Sequence, residues 1–288
     1  KFTMTTTANI YTFRARSIIA LVVASLISAA GFLWPFFIGA NAEYRHQNNQ
    51  WFFWVAVPIA LTILIIEISN ERLDAKSVAL LGVLAALTAA LRPMGAGVAG
   101  IEPMWFLLIL SARVFGAAFG FILGILALFV SAFLTGGFGP WLAYQMFAAG
   151  WIGLGAGALP QRVGKRLIRG PSEVLILVLY SIFAALLFGI LMDLQFWPWA
   201  LGSNTQLSYL PGGAVGENLH RFIVFHLASS MAWDVPRAIF TAALTIITAP
   251  TVLTALRRTK RRASFLAPIE FIAAKENAIG RAKEQTGA

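Results

Sequence analysis

Residues 136–160 read GGFGPWLAYQMFAAGWIGLGAGALP. The stretch opens in a Gly/Pro/aromatic turn, passes polar Tyr144 and Gln145, and continues as a glycine-rich apolar helix. Ala149, Gly153 and Gly157 recur every four residues, so they share one helix face smooth enough for a second helix to lie close against it. An amide and a phenol at the mouth of a membrane helix suit a protein that holds a small molecule there. The stretch therefore reads as the middle of a solute-binding membrane bundle.

The rest of the composition agrees. Hydrophobic residues make up 59% of the 288 and charged residues 12%, in apolar runs long enough to cross a bilayer. With no cysteine there is neither a disulfide nor a thiolate metal site. The net charge of +10 needs no nucleic-acid partner, because basic residues mark the cytoplasmic loops of membrane proteins. The apolar run Ser17–Gly39 follows Arg14 and Arg16 as a signal peptide does. It is long for one and shows no small-x-small cleavage site before Trp34-Pro35-Phe36-Phe37, so it reads as a retained span.

Taken in order, residues 1–16 form a cytoplasmic segment, and 17–69 a hairpin of two helices, Ser17–Gly39 and Trp51–Ser69, with Trp51 and Trp54 at the interface. The charged connector Asn70–Lys76 leads into a helix Ser77–Leu91. There Gly82, Ala86 and Ala90 form one stripe of small residues, with Ala85 and Ala89 beside it; packing within the chain and docking on another subunit both fit. Arg92–Glu102, with glycines at 95, 97 and 100, reads as a flexible loop. The apolar run 104–134 is either one helix or two. Broken near Arg113–Gly116, it gives eight spans with both termini inside, and 18 Lys/Arg in inner segments against 3 in outer ones. The positive-inside rule favours the break. Its first piece is then a short helix of about 14 Å that needs protein around it. Gly116, Gly120 and Gly124 give the second piece a close-packing face. A basic inner loop Gln161–Ser172 follows, then a helix Glu173–Met192 and a long outer loop Asp193–Arg221 whose Trp197 and Trp199 belong at the membrane surface. A last helix runs over about Phe222–Leu256, and a basic tail occupies 258–288, with a weakly amphipathic stretch Pro268–Gln285.

Charges inside a span point to function. Asp234 and Arg237 lie three apart in Trp233-Asp234-Val235-Pro236-Arg237, hence on one helix face in the outer half of the last helix; a structural ion pair and a substrate contact both fit. Glu102 and Asp193 stand at outer helix ends, as boundary markers or ligand contacts. His220 and His226 are spaced for neither a helical nor a finger-type metal site and read as interface residues. Phe138, Trp141, Tyr144, Trp151 and Trp233 suit a stacking pocket for a heterocycle and equally an aromatic belt. No phosphate-binding glycine loop, HExxH or GxSxG is present, and no chain of intramembrane carboxylates, so the chain carries neither an ATPase motif nor a proton relay. No cofactor is expected.

The ordered set at 76–262 resembles the substrate-binding S component of energy-coupling factor (ECF) transporters. The set comprises the alanine/glycine repeat at 82–90, the Arg113 turn, FGPWLAYQM at 138–146 before the glycine-rich helix, and WDVPRA at 233–238 before a basic end. The resemblance implies an all-α integral membrane protein of a prokaryotic plasma membrane, with a six-helix core at 76–257; the hairpin 17–69 is additional to that core. It also implies a non-enzymatic subunit that binds a vitamin or related small molecule from outside, with Arg92–Glu102 as lid. Arg92, Glu102, Phe138, Trp141, Tyr144, Gln145, Trp151, Asp193, His226, Trp233, Asp234 and Arg237 are then the substrate-binding candidates. Gly82, Ala85, Ala86, Ala89 and Ala90 are the face for a membrane-embedded T component, driven by two cytosolic ABC ATPases. Substrate identity stays open among cobalamin-like, thiamine-related and other cyclic molecules. The rival readings are a membrane enzyme or assembly factor using Asp234, Arg237 and His226 on a lipid-linked substrate, and a self-sufficient facilitator.

Overall fold

The computed structural model describes residues 15–37, 75–95, 100–201 and 205–264. The expected helix 51–69, the connector 70–74, and the amphipathic stretch 268–285 lie outside the described residues.

Eight α-helices carry the described chain: α1 Ala15–Leu33, α2 Ala75–Leu91, α3 Met104–Phe115, α4 Ala117–Thr135, α5 Pro140–Ala158, α6 Pro171–Ala200, α7 Val215–Ser229 and α8 Met231–Ser264. Among the described residues, the α1, α2, α4, α6 and α8 segments are long and apolar enough to cross a membrane. The sole sheet among them is a two-residue hairpin, Arg162–Val163 against Arg166–Leu167, which turns at Gly164 in the left-handed region (φ 59°). The protein is an all-α integral membrane protein.

The break near residue 116 is present. Gly116 adopts φ 105°, a backbone conformation that side chains strain, and it separates α3 from α4. Helix α3 spans only 12 residues, yet it packs on α2, α4, α5, α6 and α8. Its Met104, Leu108, Ile109, Leu110, Ala112 and Phe115 are fully buried. Protein rather than lipid surrounds the short helix, which is the condition for tolerating non-helical backbone at its end.

The small-residue faces of α4 and α5 meet each other. A Cβ added at Gly120 would strike the backbone of Gly153, one at Gly124 the backbone of Ala149, and one at Gly157 the backbone of Gly116 and Ala117. In lipid, where dispersion rather than hydrophobicity drives helix association, such contact is the chief source of adhesion between the two.

The outer end is more helical than expected. Helix α6 continues past Met192 to Ala200, and the expected last helix is two, broken at Ser230. The expected loop Asp193–Arg221 thus shrinks to 201–214. Tertiary contacts account for the extension. Trp197 is fully buried rather than interfacial: its indole N–H donates to Leu207 O (2.7 Å), and its ring meets Phe36, Tyr209 and Phe222. Asn218 accepts from Leu210 N (3.0 Å) and donates to Leu210 O (2.9 Å), which ties α7 to the turn before it. Near the break, Pro236 removes the amide that would bond back to residue 232.

Candidate functional site

At the end that the charge count places outside, Arg92 after α2 and side chains from α3, α4, α5, α6, α7 and α8 converge on one polar network. Arg92, just beyond the last residue of α2, donates to Ser131 Oγ on α4 and to Gln145 Oε1 on α5, each at 2.9 Å. Its Nε lies 3.8 Å from Glu102, whose carboxylate also receives the Trp105 indole N–H (2.8 Å) and stands 3.6 Å from Arg237 Nε. Arg237 donates to Asp234 Oδ1 (2.6 Å), and the Ser230 hydroxyl donates to Asp234 Oδ2 (2.7 Å). His226 Nδ1 and Asp193 Oδ2, 2.8 Å apart, continue the network onto α7 and α6.

Two glycines let this network close. Gly189 on α6 faces the Asp234 carboxylate where any Cβ would collide with it, so the acid lies directly on the α6 backbone. Gly100 (φ 72°) likewise rests on the Trp233 carbonyl, which sets residue 100 directly on the α8 backbone. Just after α2, Pro93–Gly95 forms a 3₁₀ turn. Arg237 also sits over the Phe188 ring, 5.1 Å from its centroid, and its Nε is buried without a hydrogen-bond partner among the described residues. A buried guanidinium held by two carboxylates and an aromatic face, with a donor left over, is equipped to meet an acceptor of a bound molecule.

A second cluster marks the opposite end. Arg113, with its side chain fully buried, donates to Glu173 Oε1 (2.9 Å) and to the carbonyls of Leu159 (2.8 Å) and Pro160 (3.0 Å). Arg257 reaches both oxygens of Glu173 (2.6 and 2.7 Å), and Lys260 donates to Val114 O (2.8 Å). The Arg113 turn, the basic loop 160–170 and the basic end of α8 thus share one end of the bundle, as the charge count required.

Residues 72–207 match the family model of the ECF-type riboflavin transporter, S component. Over that stretch, just under half of its length, the chain is similar to an ECF-type S component. The match runs from the approach to α2 to just past α6 and includes Arg92, Glu102, Gln145 and Asp193; Ser230, Asp234 and Arg237 lie beyond it. No curated protein and no solved structure matches the chain. Five long apolar helices among the described residues fit a multi-pass membrane protein, and the matched family is one of transporter subunits rather than catalysts.

The other candidates separate from this polar network. Phe138, Trp141 and Trp233 expose 50%, 43% and 48% of their surface and stay outside it, as an aromatic belt does. Tyr144 and Trp151 face α1 instead: the Tyr144 hydroxyl donates to Gly31 O (3.4 Å), the Trp151 indole to Ser25 Oγ (3.0 Å), and Phe32 lies against both rings. His220 is exposed, and no group of three metal-ligating side chains exists among the described residues. On α2, Ala85 and Ala89 are buried at 3% and 0% exposure and belong to the core, which corrects their assignment to a docking face. Gly82, Ala86 and Ala90 point outward. Ser131, Trp105 and Ser230 join the network although sequence reasoning does not single them out. Trp105 stands three residues from Glu102 and Ser230 four from Asp234, spacings that helical reasoning can find. Nothing local marks Ser131.

Proposed function

We propose that this chain is the substrate-specificity subunit of an ECF-type importer that takes a vitamin or vitamin-related molecule from the outer side. The observation that carries the reading is the outer network, where Arg92, Glu102, Gln145, Asp193, Asp234 and Arg237 meet in an otherwise apolar bundle. Ionisable groups at such depth are costly, and their placement at a solute entrance offsets that cost through binding.

The matched family's title names riboflavin, and we propose a molecule of that chemistry here. An isoalloxazine edge presents two carbonyls flanking an N–H, which guanidinium donors and a carboxylate or amide acceptor complement. Displacement of the lid Arg92–Glu102 releases Arg92 and Glu102 from their internal partners and opens the network to the ligand. In this reading residues 17–69 are the additional hairpin, 76–257 the binding core and 258–288 a basic cytoplasmic tail, with eight spans and both termini inside. The outward stripe of Gly82, Ala86 and Ala90 docks on a T component, and two cytosolic ABC ATPases drive a toppling that delivers the substrate inward.

The test is a fluorescence titration of riboflavin with the purified protein. Saturable quenching at one flavin per chain is expected, weakened at least about tenfold, or about 1.4 kcal/mol, by Gln145→Ala or Asp234→Asn. Absence of saturable quenching removes riboflavin as the substrate; quenching untouched by both variants removes the pocket.

A further inference from the structure

A groove of about 640 Å³ lies between α6 and α8 at the end of the bundle that holds Arg113 and Glu173. Val174, Leu175 and Val178 form one wall, Ile246, Pro250 and Leu253 the other, and Arg257 stands at the mouth. The volume falls within the range of about 300–1,000 Å³ usual for small-molecule sites.

The charge at this mouth is unbalanced. Glu173 is the one acid at this end among the described residues, it is 1% exposed, and both its oxygens are engaged by Arg113 and Arg257. Arg257 uses a single nitrogen on Glu173, and its other donors make no hydrogen bond among the described residues. Arg169 and Arg261, both exposed, make no side-chain hydrogen bond or ion pair among those residues. Partial burial and the nearby Arg257 hold the Arg169 guanidinium below its ordinary value. Cations that repel one another beside an apolar slot fit a ligand with an anionic head and a hydrocarbon chain.

We propose that this groove binds an anionic phospholipid of the inner leaflet, an acyl chain along Val174, Val178 and Ile246 and the phosphate on Arg257, Arg169 and Arg261. Basic pockets between membrane helices on the cytoplasmic side favour such headgroups. A free phosphate leaves the apolar walls unused. The chain's own residues 265–288 carry three acids against three bases, so they bring no net negative charge to the mouth.

The absence of cysteine makes the test direct. Val178→Cys, in the groove, and Leu179→Cys, at a position 58% exposed, each give the full chain a single thiol for a benzophenone maleimide. After illumination in native membranes, mass spectrometry identifies what each position captures. Position 178 is expected to capture phosphatidylglycerol or cardiolipin at least about fivefold more than position 179, relative to phosphatidylethanolamine. Arg169→Gln with Arg261→Gln should abolish that enrichment. Equal lipid profiles at both positions, enrichment that survives the double substitution, or cross-links from 178 to residues 265–288 or to another protein would each overturn the proposal. Suppression of the lipid adduct by inorganic phosphate present during illumination would also do so, because it would assign the cations to a free anion.

Discussion

Asp234 is 1% exposed, and its two oxygens are taken by Arg237 and Ser230, so in isolation it resembles a purely structural ion pair. What argues for more is the company: Glu102 on the loop side and the Phe188 ring share the same guanidinium, whose Nε has no hydrogen-bond partner among the described residues. The two roles can be separated. Removing one member of a buried pair strands the other at a cost of about 3–5 kcal/mol, whereas neutralising both is often nearly neutral. Asp234→Asn alone is therefore expected to lower the thermal midpoint in detergent and to weaken ligand binding. Asp234→Asn combined with Arg237→Gln should restore most of the midpoint and leave binding lost. Recovery of both by the double variant would make the pair structural only. A flavin titration beside a melting curve on the same preparations decides it.

Helices α6 and α8 meet where Gly189 accepts the Asp234 carboxylate, and α4 and α5 meet through Gly120, Gly124, Gly153 and Gly157. These contacts predict opposite phenotypes. Gly189→Ala places a methyl where the carboxylate lies, so it should reduce ligand affinity at least about tenfold while much of the protein still folds. Gly153→Leu drives α4 from α5 along their whole contact and should leave little folded protein in a detergent-solubility assay. At the inner end, Glu173→Gln leaves fully buried Arg113 without its anion and should cost about 3–5 kcal/mol of stability. Its ligand affinity should be unchanged, because the binding network lies at the opposite end. The four-residue glycine spacing makes the α4–α5 contact legible in the sequence, since close approach needs small residues at fixed intervals. The Asp234–Arg237 pair is legible for the same helical reason. Long-range packing is not. Nothing near Trp197 announces that Phe36, Tyr209 and Phe222 will bury it and prolong α6, and nothing near Tyr144 or Trp151 announces that α1 will take up their polar atoms. Propensity reads neighbours along the chain, and these partners lie more than a hundred residues away in the case of α1.

At the scale of the molecule, the two polar clusters sit at opposite ends of one bundle, and the outward face of α2 runs between those ends. Leu81, Leu84, Ala85, Thr88 and Ala89 bind α2 to the core, and Gly82, Ala86 and Ala90 are left facing out beside Val83 and Leu87. A Cβ at Gly82 would meet nothing, so this smoothness serves no contact among the described residues. Small residues are the wrong choice for a face that only contacts lipid tails, where large apolar side chains do as well; they are the right choice where another helix must slide close. Under the proposed function, Ala86→Leu should leave the melting temperature and ligand affinity of the isolated protein at wild-type values, because the added side chain projects away from every internal partner. In membranes that also hold the T component and the two ATPases, the same variant should abolish ATP-dependent uptake. Ala89→Leu is the contrasting substitution: Ala89 is fully buried, and overpacking there is expected to cost about 1–3 kcal/mol of stability and to impair binding with transport. Uptake by the Ala86→Leu variant at the wild-type rate would exclude this face as the docking surface. Loss of binding together with uptake would place Ala86 in the fold instead.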